Sequence, residues 1–83
     1  MPVDLEALEI NINDIVISNP FKAFLPATHK IAKCYAHYKK NGVFDRNIVL
    51  DKNNELIDGY VAYLVAKMLG IKIVFAEKLS TKE

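Results

Sequence analysis

The sequence holds a single cysteine, Cys34, and that alone excludes an internal disulfide. Histidine is nearly as scarce. His29 and His37 stand eight residues apart, about 80° from each other around a helix, so they do not form the i,i+4 pair that grips zinc. Neither is followed by a glutamate to serve as a base. Apolar residues nowhere run for the roughly 18–20 positions that a membrane span requires. The start, Met1-Pro2-Val3-Asp4, has neither a basic region nor a leader-like apolar stretch, so neither export nor a membrane partner is expected. No repeat, linker or low-complexity tract interrupts the chain. What is present is 83 residues, 52% hydrophobic and 25% charged, too apolar for disorder and read as one domain over 1–83. A chain of this length buries only about 60–65% of its unfolded surface, so core size is its main constraint.

The net charge of +1 is a sum of unlike blocks. Asp4, Glu6, Glu9 and Asp14 give residues 1–14 a charge of −4, whereas Lys22, Lys30, Lys33, Lys39 and Lys40 give residues 15–44 a charge of +5. A basic surface is therefore compatible with a near-neutral total, and so is ordinary solvated lysine on helix exteriors.

Leu8, Ile10 and Ile12 alternate with Glu9 and Asn11, the period of a half-buried strand. Ser18-Asn19-Pro20 breaks regular structure, and 18–26 reads as an ordered connection with Phe21, Phe24 and Leu25 anchored in the core. Pro26 and Gly42 bracket a helix from Ala27 to about Asn41. Its wheel puts Ile31, Cys34, Tyr35 and Tyr38 on a core face, where Cys34 is inert packing. Lys30, Lys33, His37 and Lys40 form a basic stripe on another face. Residues 47–57 read as a hairpin turning at Lys52-Asn53-Asn54. Tyr60 to Leu69 carries a helical stripe of Val61, Leu64, Val65 and Met68, with Asp58 as its N-cap and Gly70 closing it. Ile71–Ala76 is a last strand and 77–83 a polar tail, leaving a core over about 8–76. The order of elements gives an α+β domain, a small mixed sheet with two main helices.

Three segments then carry a resemblance. Asn19-Pro20-Phe21 follows a strand-like segment, the hairpin runs from Ile48 to Ile57, and Leu56-Ile57-Asp58-Gly59-Tyr60 leads into a helix ending Leu69-Gly70-Ile71. In this order they resemble the N-terminal domain shared by the partition protein ParB and sulfiredoxin, across nearly the whole chain. The resemblance implies a nucleotide site at the start of the second main helix, in the loop Asp58, Gly59 and Tyr60; no resident cofactor is expected, a nucleotide with Mg²⁺ being the alternative. Free N–H groups and the helix dipole suit phosphate there. The side chains depart from the pattern, because Tyr60, Val61 and Ala62 stand where ParB has basic residues and sulfiredoxin has Cys-His-Arg. Two lost charge-assisted bonds weaken such a site by about 3 kcal/mol or more, over a hundredfold in affinity. Sulfiredoxin chemistry lacks its loop cysteine.

Two further clusters are candidates. Tyr60, Tyr63 and Lys67 follow i, i+3, i+7 spacing, a face that stacks a base or edges the core. Asp45, Asp51, Glu55 and Asp58 gather around the hairpin, where they solvate the turn or, in a nuclease, hold a metal. The leading expectation is a non-catalytic module contacting nucleic acid or a nucleotide, with Lys30, Lys33, His37 and Lys40 as nucleic-acid contacts. The alternative is a protein-interaction or self-assembling module that kept the fold and lost the phosphate site, its last strand an unpaired edge. A degenerate nuclease or phosphotransfer enzyme comes third. The resemblance implies a cytoplasmic location and a bacterial or mobile-element source.

Overall fold

A computed structural model of the chain describes residues 3–23 and 25–81. Alternating apolar residues extend β1 over Val3–Asn11, so the strand starts five residues before the expected pattern at Leu8. A 3-10 turn at Ile12–Asp14 ends it, with Asn11 Oδ1 accepting from the Asn13 N–H at 2.9 Å. Val16 then docks beside the later hairpin, its N–H donating to Asn54 O at 2.9 Å and its carbonyl accepting from Leu56 N–H at 2.8 Å. The connection expected at 18–26 contains a short helix, α1 (Asn19–Ala23), which begins one residue before Pro20. Phe21 packs against the core, but Leu25 is 69% exposed and not an anchor; Phe24 lies outside the described residues.

Helix α2 (Thr28–Asn41) forms where the flanking Pro26 and Gly42 predict it. Gly42 closes it in the left-handed conformation at φ 74°, and its N–H donates to Tyr38 O. Cys34 is buried and Ile31 and Tyr38 are half-buried, whereas Tyr35 faces solvent, so the core stripe is narrower than the wheel suggests. The hairpin is β2 (Ile48–Leu50) and β3 (Leu56–Asp58). Asp51 holds its turn: one carboxylate oxygen accepts from the N–H groups of Asn53 at 2.8 Å and Glu55 at 2.9 Å. Asn54 takes the left-handed φ of 65° that asparagine tolerates.

Helix α3 (Tyr60–Met68) follows, and β4 (Ile73–Thr81) completes a four-stranded sheet in the order β1-β4-β2-β3. β4 runs antiparallel to β1 through nine residue pairs, from Asn11 opposite Ile73 to Val3 opposite Thr81, and parallel to β2. Two expectations are corrected here. Residues 77–81 are not tail but the second half of β4, because β1 supplies a partner some seventy positions away, with Glu6 opposite Lys78 in the register. Nor is the last strand an edge: it lies inside the sheet, and β1 and β3 are the outer strands.

The core lies between the sheet and the α2–α3 layer, with Leu50 and Val65 fully buried and Ile48 nearly so. Burial of each such side chain contributes about 1.5–3 kcal/mol. On α3 the buried positions are Ala62, Tyr63, Val65 and Ala66, while Met68 is 64% exposed. The helix is thus rotated from the stripe expected at Val61, Leu64, Val65 and Met68, since its two alanines bring the backbone close to its neighbours. Among the described residues, no helix is long and apolar enough to cross a membrane.

Gly59 sets the start of α3. It is the N-cap, at φ 88°, and a Cβ on it would lie 2.5 Å from Asn47 O and 2.7 Å from Ile48 Cα. Both contacts are with backbone that cannot swing aside. Asp58 is therefore not the cap: it ends β3, and its Oδ1 accepts from the Gly59 N–H at 2.8 Å. Gly59→Ala is expected to cost about 3 kcal/mol from left-handed strain plus overpacking. Gly42→Ala, with the same sign of φ but nothing within 4 Å of the new Cβ, should cost only about 1 kcal/mol. Urea titration of both variants checks the contrast, and equal losses would contradict it.

Candidate functional site

Three cations that are separate in sequence converge where α2 and α3 begin. Lys30 and Lys33 come from the first turns of α2, and Arg46, the sole arginine, from the segment that leads into β2. With His29, Cys34, Asp45 and Val61 they line an open cleft of about 290 Å³. Three fixed positive charges thus face one carboxylate. Val61 is the second residue of α3, which no side chain caps. The first helical bond of α3 is Tyr63 N–H to Gly59 O at 3.0 Å, which leaves the N–H groups of Tyr60, Val61 and Ala62 without an acceptor in the helix. The cleft therefore combines three cations with one wall at a helix N-terminus, an arrangement that favours anions.

The residues singled out from the sequence do not all meet here. Lys30 and Lys33 line the cleft. His37 and Lys40 lie farther along α2; His37 is half-buried, and its carbonyl accepts from Asn41 Nδ2 at 3.1 Å. Asp58 is exposed, and Gly59 is buried against the Asn47–Ile48 backbone. Tyr60 is half-buried between two rings, with Phe21 at 5.2 Å and Tyr63 at 6.1 Å between centroids. Tyr63 is itself buried, and Lys67 Nζ sits 5.5 Å from its ring centroid. These aromatic faces are already occupied by one another, at about 0.5–1.5 kcal/mol per pair.

Arg46 is the cleft residue that sequence reasoning passed over, whereas His29 and Asp45 were weighed only for metal binding and, for Asp45, solvating the turn. Arg46 belongs to a block with net negative charge, so counting by segment hides it. Its being the lone arginine, next to a strand start, was the available signal. Among the described residues, no three His, Cys, Asp or Glu side chains gather closely enough to hold a metal ion.

Comparison with known proteins adds the fold. No protein-family model matches the sequence, and no curated protein matches it. Two solved structures of a pNOB8-like ParB N-domain superpose on the chain with TM-scores of 0.81 and 0.80 at 21% identity. The alignments cover 99% of this chain and 32% and 30% of those chains, so this chain spans about a third of their length. The domain has the ParB N-domain fold, which its α+β class and mixed sheet match.

Cys34 forms part of the cleft floor. Burial raises its thiol pKa above the ordinary value, and the Asp45 carboxylate adds to the rise, against an opposing pull from Arg46. The unfolded chain ionises this thiol first, so the contribution is fully present below the ordinary thiol range and is lost as pH rises through the folded value. Between neutrality and about pH 8 the stability difference between the wild type and Cys34→Ala should be constant, and above that it should shrink as pH rises. Urea midpoints measured across pH check this; a difference that grows with pH is the contrary result.

Proposed function

We propose that this domain is a non-catalytic binding module that takes a phosphate-bearing ligand, a nucleotide or the backbone of a nucleic acid, in the cleft between α2 and α3. One observation supports the reading above all: Lys30, Lys33 and Arg46 share a cleft with the uncapped first turn of α3. The loop Asp58–Tyr60 brings no cation, but these three side chains reach the same end of the helix from other segments. Charge-assisted bonds to phosphate are about twice as strong as neutral ones, so three cations outweigh the single Asp45. The volume is near the lower limit of small-molecule pockets, which suits a phosphate group better than a whole enclosed nucleotide. Lys39 and Lys40 continue the positive potential along exposed α2, where a nucleic-acid strand would track. The resemblance to nucleotide-binding ParB-like domains points to the same end of α3, and a cytoplasmic location accords with it.

Gel shifts with single- and double-stranded DNA, beside thermal shifts with ATP, CTP and GTP with and without Mg²⁺, separate the two sources of phosphate. For DNA, three phosphate contacts predict a loss of about 20–40-fold in affinity between 50 and 200 mM salt. Arg46→Ala should weaken either ligand about tenfold or more, one charge-assisted bond being removed. Absence of binding at low salt to every ligand, or wild-type binding by both Arg46→Ala and Lys33→Ala, would overturn the assignment.

A further inference from the structure

The first residues of β4 lie inside the sheet, yet they have a strand on one side only. β2 begins opposite Ala76, so beside Ile73–Phe75 the next segment is 42–47, which is not a strand. The backbone bonds identify which groups are left over. Ile12 N–H donates to Lys72 O at 2.8 Å, which makes Ile12 and Lys72 a bonded pair at the end of the β1–β4 ladder. Bonded and non-bonded pairs alternate along an antiparallel ladder. Ile10–Val74 is therefore the next bonded pair, and Asn11–Ile73 and Glu9–Phe75 are non-bonded. The N–H and C=O of Ile73 and the N–H of Phe75 consequently point away from β1. Among the described residues, no backbone bond joins Ile73 or Phe75 to the 42–47 segment.

These groups open onto a groove of about 330 Å³. Its lining includes Val74, which faces the helices, as well as Ile73 and Phe75, which face outward, so it follows the edge of β4 and not one face of the sheet. Tyr38 of α2 and Phe44 complete it. Asn47 keeps 42–47 from closing the slot, since its carbonyl packs against Gly59 and its Nδ2 donates to Glu77 Oε1. A slot bounded by β4 and by 42–47 has no room for the edge of a folded sheet, but it has the width of one extended strand. Asn47 and Arg46 apart, its side chains are apolar or aromatic. A charged side chain would lose its water there, so the three residues that lie beside 73–75 must be uncharged. Alternation sends the middle one toward the helix layer with Val74 and sets the outer two beside Ile73 and Phe75. Those two side chains are 51% and 76% exposed and gain cover.

We propose that the Ile73–Phe75 edge of β4 binds an extended apolar peptide segment of another protein by strand addition, main chain to main chain. The pairing uses no charge and stands apart from the phosphate reading, although Arg46 borders both hollows. Amide exchange and a titration test it, with the N-acetylated, C-amidated peptide Ser-Val-Leu-Val-Ser as the probe. In the free protein the Ile73 and Phe75 amides should exchange about a hundredfold faster than the Val74 amide, which β1 protects. Saturating peptide should slow both about tenfold or more. Ile73→Pro removes a groove donor but no β1 bond, and should weaken the peptide about fivefold or more. The same peptide with lysine in place of leucine should bind about tenfold more weakly to the wild type, a comparison that needs no variant to fold. Ile73 and Phe75 amides as protected as Val74 in the free protein would overturn the proposal. So would unchanged exchange at millimolar peptide, equal binding of the lysine peptide, or slowing at these amides that follows the protein's own concentration, which would place a second copy in the slot.

Discussion

The contact between Gly59 and the backbone of Asn47 and Ile48 decides where α3 begins, and with it where the cleft lies. Nothing larger than a hydrogen fits between them. The approach binds the start of α3 to the start of β2, so that the segment bearing Arg46 and the first turn of α3 cannot drift apart. α2 then packs on α3 and delivers Lys30 and Lys33 to the same place. A backbone contact without any charge thereby organises the electrostatics of the site.

That organisation distributes the positive charge instead of concentrating it in one loop. Asp58 already places a carboxylate beside the α3 N-terminus, where it accepts the Gly59 N–H and offsets part of the helix dipole. Cations held on other segments avoid this local cancellation. They also sit on an open surface, where their reach for an anion is sensitive to salt. Cys34 at the base of the same cleft stays a neutral thiol because burial opposes its ionisation, so it adds no negative charge to a site that gathers positive residues.

Much of the architecture was legible because it is local. Pro26 and Gly42 frame α2, the Asn-rich turn closes the hairpin, and Gly59 and Gly70 bracket α3 to within a residue or two. The resemblance in motif order gave the fold that the solved ParB N-domains share. What could not be read depends on residues far apart in the chain. Glu77 and Lys78 look like tail until β1 is placed beside them. Met68 looks like core until the alanines at 62 and 66 turn α3 onto its other side. Leu25 is apolar but has no element to pack under. Half of the basic stripe reaches the cleft and half does not, because a helix face is longer than the hollow it borders. Arg46 was invisible for the opposite reason, being a single cation in an acidic block that only the fold carries to the lysines.

The register of β1 with β4 has a mechanical consequence. Val3 pairs with Thr81, so the first and last described residues lie side by side at one end of an antiparallel ladder. Ladder bonds in such a pair run perpendicular to the strands. A load applied between the two ends of the domain therefore falls on one pair of bonds at a time, opening the ladder from Val3–Thr81 inward like a zipper. A load applied instead between opposite ends of β1 and β4 would have to shear the ladder's bonds together. As a tether between two pulled objects the fold is weak, and it yields by peeling off its outer strand before the helical layer feels the force.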